Sequence, residues 1–238
     1  MLRTPGHALA LIFWGLALAG AAVSPPPPTQ TQPKEHKGPH DATVHHSFDN
    51  AENWSKTFDD PERDAWQKPG ELVRALGLKA GMVAADLGAG TGYFSRYLSA
   101  AVFPGGMLLA IDVEPSMVQY LGERARREAL TNLVPVLALP DDPFLPQGHV
   151  DRVLIVNTYH HIDSRLEYFT RMRRAMTPEG KVAIVDFYKR PLPVGPPPEH
   201  KLEPGFVIQE MEQAGWKLIE DKDFLPYQYF LVFEPMRR

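Results

Sequence analysis

The sequence predicts an α/β protein built on a doubly wound, mostly parallel sheet. Three observations carry this. From Gly70 onward, short apolar runs alternate with segments of helical period. Turn-forming residues separate them, as at Pro104-Gly105-Gly106. The first apolar run, "MVAADL", feeds into the glycine loop "GAGTG", and ligands of such sheets sit beyond the carboxyl ends of the strands.

Each element has a local reason. "GELVRALGL" places Leu72, Val73, Leu76 and Leu78 at helical spacing, with Gly77 near its end as a cap. "MVAADL" reads as a buried strand and "YFSRYLSAAV" as a helix. "MLLAID" is the second strand, and Pro115 opens the helix "SMVQYLGERARREAL". "LVPVLAL" is a third strand whose proline suits a sheet edge. "HVDRVLIVN" is the fourth. "RLEYFTRMRRAM" is a helix presenting Leu166, Phe169, Met172 and Met176, and the turn Thr177 to Gly180 precedes a fifth strand, "KVAIVDF". A proline-rich loop, Arg190 to Pro204, leads to the helix "FVIQEMEQAG". The late strands "WKLIEDKDF" and "YQYFLVF" form a C-terminal pair.

Upstream the composition changes. Residues 1–23 carry Arg3 and His7 before a 16-residue apolar stretch, Ala8 to Val23, with small residues at Ala19 to Ala22. This reads as a signal peptide or an N-terminal anchor, and hence as an exported, periplasmic or membrane-anchored protein. An inverted anchor would instead leave the domain on the cytoplasmic side, since the charge asymmetry around the apolar stretch is small. Residues 24–44 form a Pro-rich disordered linker, with no large apolar residue from Ser24 to Asp41. It contains His36 and His40, with His45 and His46 just beyond; without a completing carboxylate or Cys pattern these predict no metal site. Residues 45–69 read as a helical lead-in in which Trp54 and Phe58 share a face. Residues 70–238 form the sheet domain.

Composition excludes several classes. The formal net charge is −4 and no basic block occurs, which argues against nucleic acid as a partner. With no cysteine, disulfides, thiolate metal sites and cysteine nucleophiles are absent. The membrane is expected as a partner only through an uncleaved N-terminal segment.

The glycine spacing narrows the ligand. A dinucleotide loop reads G-x-G-x-x-G, whereas this one reads G-x-G-x-G, with Asp86 two residues before the first glycine. A carboxylate there opposes a pyrophosphate and suits an ammonium. Gly88 and Gly90 are expected to let a ligand approach the backbone, and Gly92 to permit close helix packing. These features disfavour a dinucleotide oxidoreductase.

"VAADLGAGTGYF" resembles the first motif of the class I S-adenosylmethionine-dependent methyltransferases, and other landmarks follow in order from about Gly70 to Phe233. They are "LLAIDVEP", "LALPDDPFLP", "VDRVLIVNTYHHI" and "RRAMTPEGKVAIVDF". The resemblance implies a Rossmann-like seven-stranded sheet with an antiparallel C-terminal strand pair, and S-adenosyl-L-methionine as cofactor. Its implied binding residues are Asp86, Gly88, Ala89, Gly90, Gly92, Asp112, Val113, Asp141, Asp142 and Asn157. Among them Asp112 takes the ribose hydroxyls and Asp141 the adenine amino group. The competing reading of Asp141 and Asp142 is an exposed turn before Pro143. For the acceptor, "NTYHHI" offers His160 or His161 as a general base and Tyr159 as a positioning group. The alternative for the histidines is a helix cap or packing below the cleft. Tyr227, Gln228 and Tyr229 either line the acceptor pocket or fill a strand pair.

The lead-in, "NTYHHI" and "FLPYQYFLVF" together resemble a group of bacterial exported or membrane-attached proteins with a methyltransferase domain. Methyl transfer to an unidentified small-molecule acceptor is the activity expected, and no metal is predicted, because the divalent-metal type needs an acid near the end of the fourth strand and Asp151 begins it. The alternative is an exported cofactor-binding or sensor module without turnover.

Overall fold

Seven strands form one sheet: β1 (Val83–Leu87), β2 (Met107–Asp112), β3 (Leu133–Leu137), β4 (Val150–Val156), β5 (Met176–Phe187), β6 (Trp216–Lys222) and β7 (Gln228–Pro235). Their order is β3-β2-β1-β4-β5-β7-β6, and all run parallel except β7, which is antiparallel to both its neighbours. The computed structural model describes residue 48 and residues 50–236. The expected signal or anchor at 1–23, the linker at 24–44, and His45 and His46 lie outside the described residues. Among the described residues no helix is long and apolar enough to cross a membrane.

The helices are α1 (Ala51–Phe58), α2 (Arg63–Gln67), α3 (Pro69–Ala75), α4 (Ser95–Val102), α5 (Pro115–Arg127), α6 (Arg165–Met172) and α7 (Pro204–Gln213). They pack on both faces of the sheet. One core layer joins Val153, Ile155 and Ile184 to Phe169 of α6, Met211 of α7 and Trp216. The other joins Ala84, Leu154 and Val185 to Leu72 of α3, Leu98 of α4 and Leu121 of α5. Successive strand residues thus feed opposite cores, which is why β1, β2 and β4 read as continuous apolar runs. Each fully buried large side chain contributes about 1.5–3 kcal/mol.

β3 lies at the edge, where Pro135 faces only Ala110 of β2. One boundary differs from the sequence reading. The helix expected to run to Met176 ends at Met172, a 3-10 turn covers Arg173–Ala175, and β5 already begins at Met176. Thr177 to Gly180 therefore lies inside a strand. Met176 pairs with Val150, and a register shift between Val150 and Arg152 absorbs the extra residues while Arg152 donates to the Glu179 carbonyl at 3.1 Å.

Within the described part of the lead-in, Ala51–Phe58 and Arg63–Gln67 are helical. Trp54 and Phe58 stack at 5.2 Å, and Phe48 meets them at 4.9 and 5.9 Å. The Phe48 amide donates to Glu114 Oε1 at 3.2 Å, and Ser116 Oγ donates to the Phe48 carbonyl at 3.2 Å. This segment starts beside the end of β2, and its later part reaches the ends of β5 and β7, where Trp66 packs on Phe187 and Tyr227. It forms a strap at the carboxyl edge of the sheet.

Candidate cofactor and acceptor site

Three carboxylates stand at or next to the last residue of their strands: Asp86 on β1, Asp112 on β2 and Asp186 on β5. Strand order reverses between β1 and β4, which makes this edge the ligand crevice of the fold. Asp86 is buried and, among the described residues, takes one hydrogen bond, from Ser95 Oγ at 2.6 Å. Burial raises its pKa to about 7, with the Ser95 bond opposing and the Asp112 charge adding to the rise. Asp112 accepts from the Gly90 amide at 2.8 Å and from the Glu114 amide at 3.0 Å, so one side chain fixes both the glycine loop and its own loop. Burial raises its pKa against those amide bonds.

The glycines have protein neighbours. A Cβ on Gly88, at φ +73°, would lie 2.2 Å from Thr158 Oγ1, and one on Gly90 would lie 3.3 Å from the Phe58 ring. The sequence suggests a ligand as the reason for both; the structure adds the β4 loop at Gly88 and the strap at Gly90. Gly92 does serve packing, since its Cβ would meet Leu121 of α5 at 2.7 Å. Ala89 donates its amide to the Ile111 carbonyl at 2.9 Å, seating the loop on β2.

Beside Asp112, the side chains of Val113, Leu137 and Leu139 stand exposed at the ends of β2 and β3. Asp141 and Asp142 are exposed in the next turn. Asp142 Oδ1 accepts from the Phe144 amide at 2.8 Å, the Asx geometry of the turn alternative, while the Asp141 carbonyl accepts from Arg171 at 2.6 Å. Asn157 is left-handed at φ 53°, and its Oδ1 accepts from Gln228 Nε2 at 2.7 Å.

His160 and His161 lie on the 3-10 turn Tyr159–His161 that follows β4. His160 is buried, and its Nδ1 lies 2.7 Å from Asp186 Oδ2, while Asp186 Oδ1 accepts from the Phe187 amide at 2.8 Å. Among the described residues Nε2 makes no hydrogen bond. Burial pushes the His160 pKa down, but the Asp186 charge and hydrogen bond outweigh it, leaving the value raised. The His161 ring lies 4.1 Å from His160 and meets Phe48 of the strap at 6.0 Å.

Tyr159 departs from its expected place. It is 1% exposed, stacks on Phe169 at 5.1 Å and donates to Glu210 Oε2 at 3.0 Å, where Arg165 also donates. Its hydroxyl belongs to a link between the 3-10 turn, α6 and α7 rather than to an acceptor pocket. Of the C-terminal trio, Tyr227 packs on Trp66, Gln228 holds Asn157, and Tyr229 is buried opposite Asp186 with its hydroxyl unpartnered.

Several residues escaped the sequence reading. Asp186 had a legible signal, because like Asp86 and Asp112 it is an acid closing an apolar run. Arg124 had none. It lies on α5, yet its Nη1 donates to Asp59 at 2.8 Å and to the Thr91 carbonyl at 2.7 Å, joining strap to glycine loop. Arg63 of the strap lies 4.2 Å above the Tyr93 ring, and Tyr93 donates to Asp64.

These residues fit S-adenosylmethionine. Asp86 is a buried carboxylate suited to an ammonium, Asp112 keeps free lone pairs at the end of β2, and exposed apolar side chains flank it. Residues 85–182 match the model of a methyltransferase domain. A solved S-adenosylmethionine-dependent methyltransferase from Aquifex aeolicus is similar at 29% identity and a TM-score of 0.73, over 76% of this chain and 96% of that one. The chain is 28% identical over 114 residues to demethylmenaquinone methyltransferase from Tropheryma whipplei, covering 48% of this chain and 45% of that protein. It is 28% identical over 123 residues to the ubiquinone/menaquinone biosynthesis C-methyltransferase UbiE of Bordetella avium, covering 50% and 46%. The chain spans about half the length of the curated relatives it matches.

Proposed function

With a sheet domain that is a methyltransferase domain of the S-adenosylmethionine-dependent kind, we propose that this protein methylates a small-molecule acceptor, with His160 as proton acceptor and Asp186 as its partner. The observation that carries the reading is the 2.7 Å contact between buried His160 Nδ1 and Asp186 Oδ2 at the carboxyl edge. A buried imidazole–carboxylate contact is a poor source of stability, which favours a chemical role for it. When bound, the cofactor supplies an electrophilic methyl group on a sulfonium, which needs little from the protein beyond alignment and proton removal.

The chain's own residues provide those two services. Asp86 holds an ammonium, Asp112 holds ribose hydroxyls, and Val113 with Leu137 and Leu139 covers an apolar ring. Asp186 fixes His160 so that Nε2 takes the proton released by the acceptor. Trp66 and Tyr227, half-buried where Trp66 packs on Phe187, offer ring surface to a planar acceptor. Two curated relatives carry quinone-biosynthesis names, and a hydroxylated aromatic ring suits this lining.

The apolar stretch Ala8 to Val23 supports export or anchoring. A compartment-sensitive reporter fused to the C-terminus reads the side of the domain directly, and a signal confined to the cytosolic assay removes export and leaves the inverted anchor. For the activity, purified protein is titrated with S-adenosylhomocysteine and then incubated with labelled cofactor and a panel of hydroquinones and catechols. Label in the organic phase that is lost in His160→Ala, with cofactor affinity retained, is the expected result. Tight binding with no transfer to the panel or to any extract component favours the sensor alternative.

A further inference from the structure

We infer that Arg63 and Gln67 of the strap form a carboxylate seat beside the glycine loop, and that it holds the amino-acid end of S-adenosylmethionine opposite Asp86. This rests on the cofactor reading above. Arg63 Nε donates to Gln67 Oε1 at 2.9 Å and Nη1 donates to the Phe58 carbonyl. Both acceptors are neutral, and among the described residues no carboxylate lies within ion-pair distance of this guanidinium. The carboxylates nearest to it in the strap are already engaged. Asp59 binds Arg124, Asp60 takes the Glu62 amide, and Asp64 takes the Tyr93 hydroxyl.

Gln67 supplies the second observation. It is fully buried, and among the described residues its Nε2 has no hydrogen-bond partner. A buried amide donor is rarely left in that state. The two amide heteroatoms share one carbon, so with Oε1 on Arg63 the Nε2 hydrogens stand beside the guanidinium. Thr91 Oγ1, between Gly90 and Gly92, is likewise buried and unpartnered.

Position links the three groups. The Phe58 ring lies on Gly90 and its carbonyl on Arg63, and Arg63 covers Tyr93, the residue after Gly92. Guanidinium, amide and hydroxyl donors thus border one loop whose other flank carries the buried Asp86 carboxylate. A group bearing both an ammonium and a carboxylate satisfies both flanks. The planar guanidinium fork matches a carboxylate in particular. The strap, on this inference, is part of the cofactor site and not merely a lead-in.

Two ligands separate the seat from the rest of the site: S-adenosylhomocysteine, and 5′-methylthioadenosine, which keeps the nucleoside and sulfur but has no amino-acid arm. Calorimetry on the full chain compares the parent with Arg63→Met, Gln67→Leu and Arg63→Lys. Loss of a charge-assisted bond weakens S-adenosylhomocysteine about 10–100-fold in Arg63→Met and about 10-fold in Gln67→Leu. Methylthioadenosine affinity stays within about two-fold, which also reports an intact fold, and Arg63→Lys recovers part of the loss. Equal weakening of both ligands, or unchanged S-adenosylhomocysteine affinity, overturns the proposal. A parent protein that binds neither ligand overturns the cofactor reading itself.

Discussion

Arg124 Nη1 lies 2.8 Å from Asp59 Oδ1, and with the Ser116–Phe48 bond this contact joins helix α5 of the sheet domain to the strap. The same nitrogen donates to the Thr91 carbonyl at 2.7 Å, so the strap and the glycine loop share one guanidinium. Arg124→Met leaves Asp59 and that carbonyl unpaired. Asp59 is partly exposed and regains water, so we expect a stability loss of about 1–3 kcal/mol in chemical denaturation. Hydrogen exchange in residues 50–67 should accelerate more than exchange in the β1 and β4 amides. A uniform increase across the sheet would show that the contact supports the core and not the strap.

Asp86 predicts a pH dependence with a definite sign. Its folded pKa is raised to about 7 from 3.8, so between those values the native state holds a proton that the unfolded chain has released. Stability therefore falls as pH rises from about 4 to 7, by at most about 4 kcal/mol, and is flat in this contribution above 7. Asp86→Asn should flatten that slope and stabilise the protein at pH 8, while weakening S-adenosylhomocysteine. Urea denaturation at pH 5 and pH 8 checks both arms. A steeper slope in the variant would refute the assignment.

The His160–Asp186 pair gives a second titration. Burial alone lowers the imidazole pKa, and Asp186 is what lifts it. Asp186→Asn should therefore carry the His160 value below its ordinary 6.5, read by following the ring protons by NMR against pH. Turnover of the parent should rise with pH through the His160 value, because only neutral imidazole accepts a proton. The pH profile of Asp186→Asn should move in the same direction as its NMR titration.

Gly88 and Gly81 separate crowding from backbone strain. Both have positive φ, +73° and +85°, but a Cβ at Gly81 meets nothing within 4 Å while one at Gly88 strikes Thr158. Alanine at Gly81 should cost about 1 kcal/mol and alanine at Gly88 about 3 kcal/mol or more. Thr158→Ala in the Gly88→Ala background should return only part of the difference, since Thr158 Cβ itself lies 2.8 Å from the new methyl.

Much of the fold is legible because its signals are local. Strands buried on both faces must be apolar throughout, so β1, β2 and β4 announce themselves in "MVAADL", "MLLAID" and "HVDRVLIVN". The start of β5 is hidden, because Thr177-Pro178-Glu179-Gly180 has turn chemistry that a register shift against β4 overrides. The acids ending β1 and β2 are readable for the same reason as the strands: a charge that closes an apolar run must lie at a sheet edge. Asp186 obeys that rule too, one residue before the end of β5 as Asp86 is one residue before the end of β1.

The chain alone determined the alternation of elements, the edge position of Pro135, the spacing of the glycine loop and the acids at its flank. These depend on neighbours a few residues apart. Only the tertiary structure decided that His160 meets Asp186, that Tyr159 turns to Glu210, that Thr158 crowds Gly88, and that Arg124 carries the strap onto the loop. Those pairings join residues brought together by parallel crossovers. A crossover buries the apolar face of its helix, and the polar groups that meet at the strand ends follow from that packing rather than from any local period.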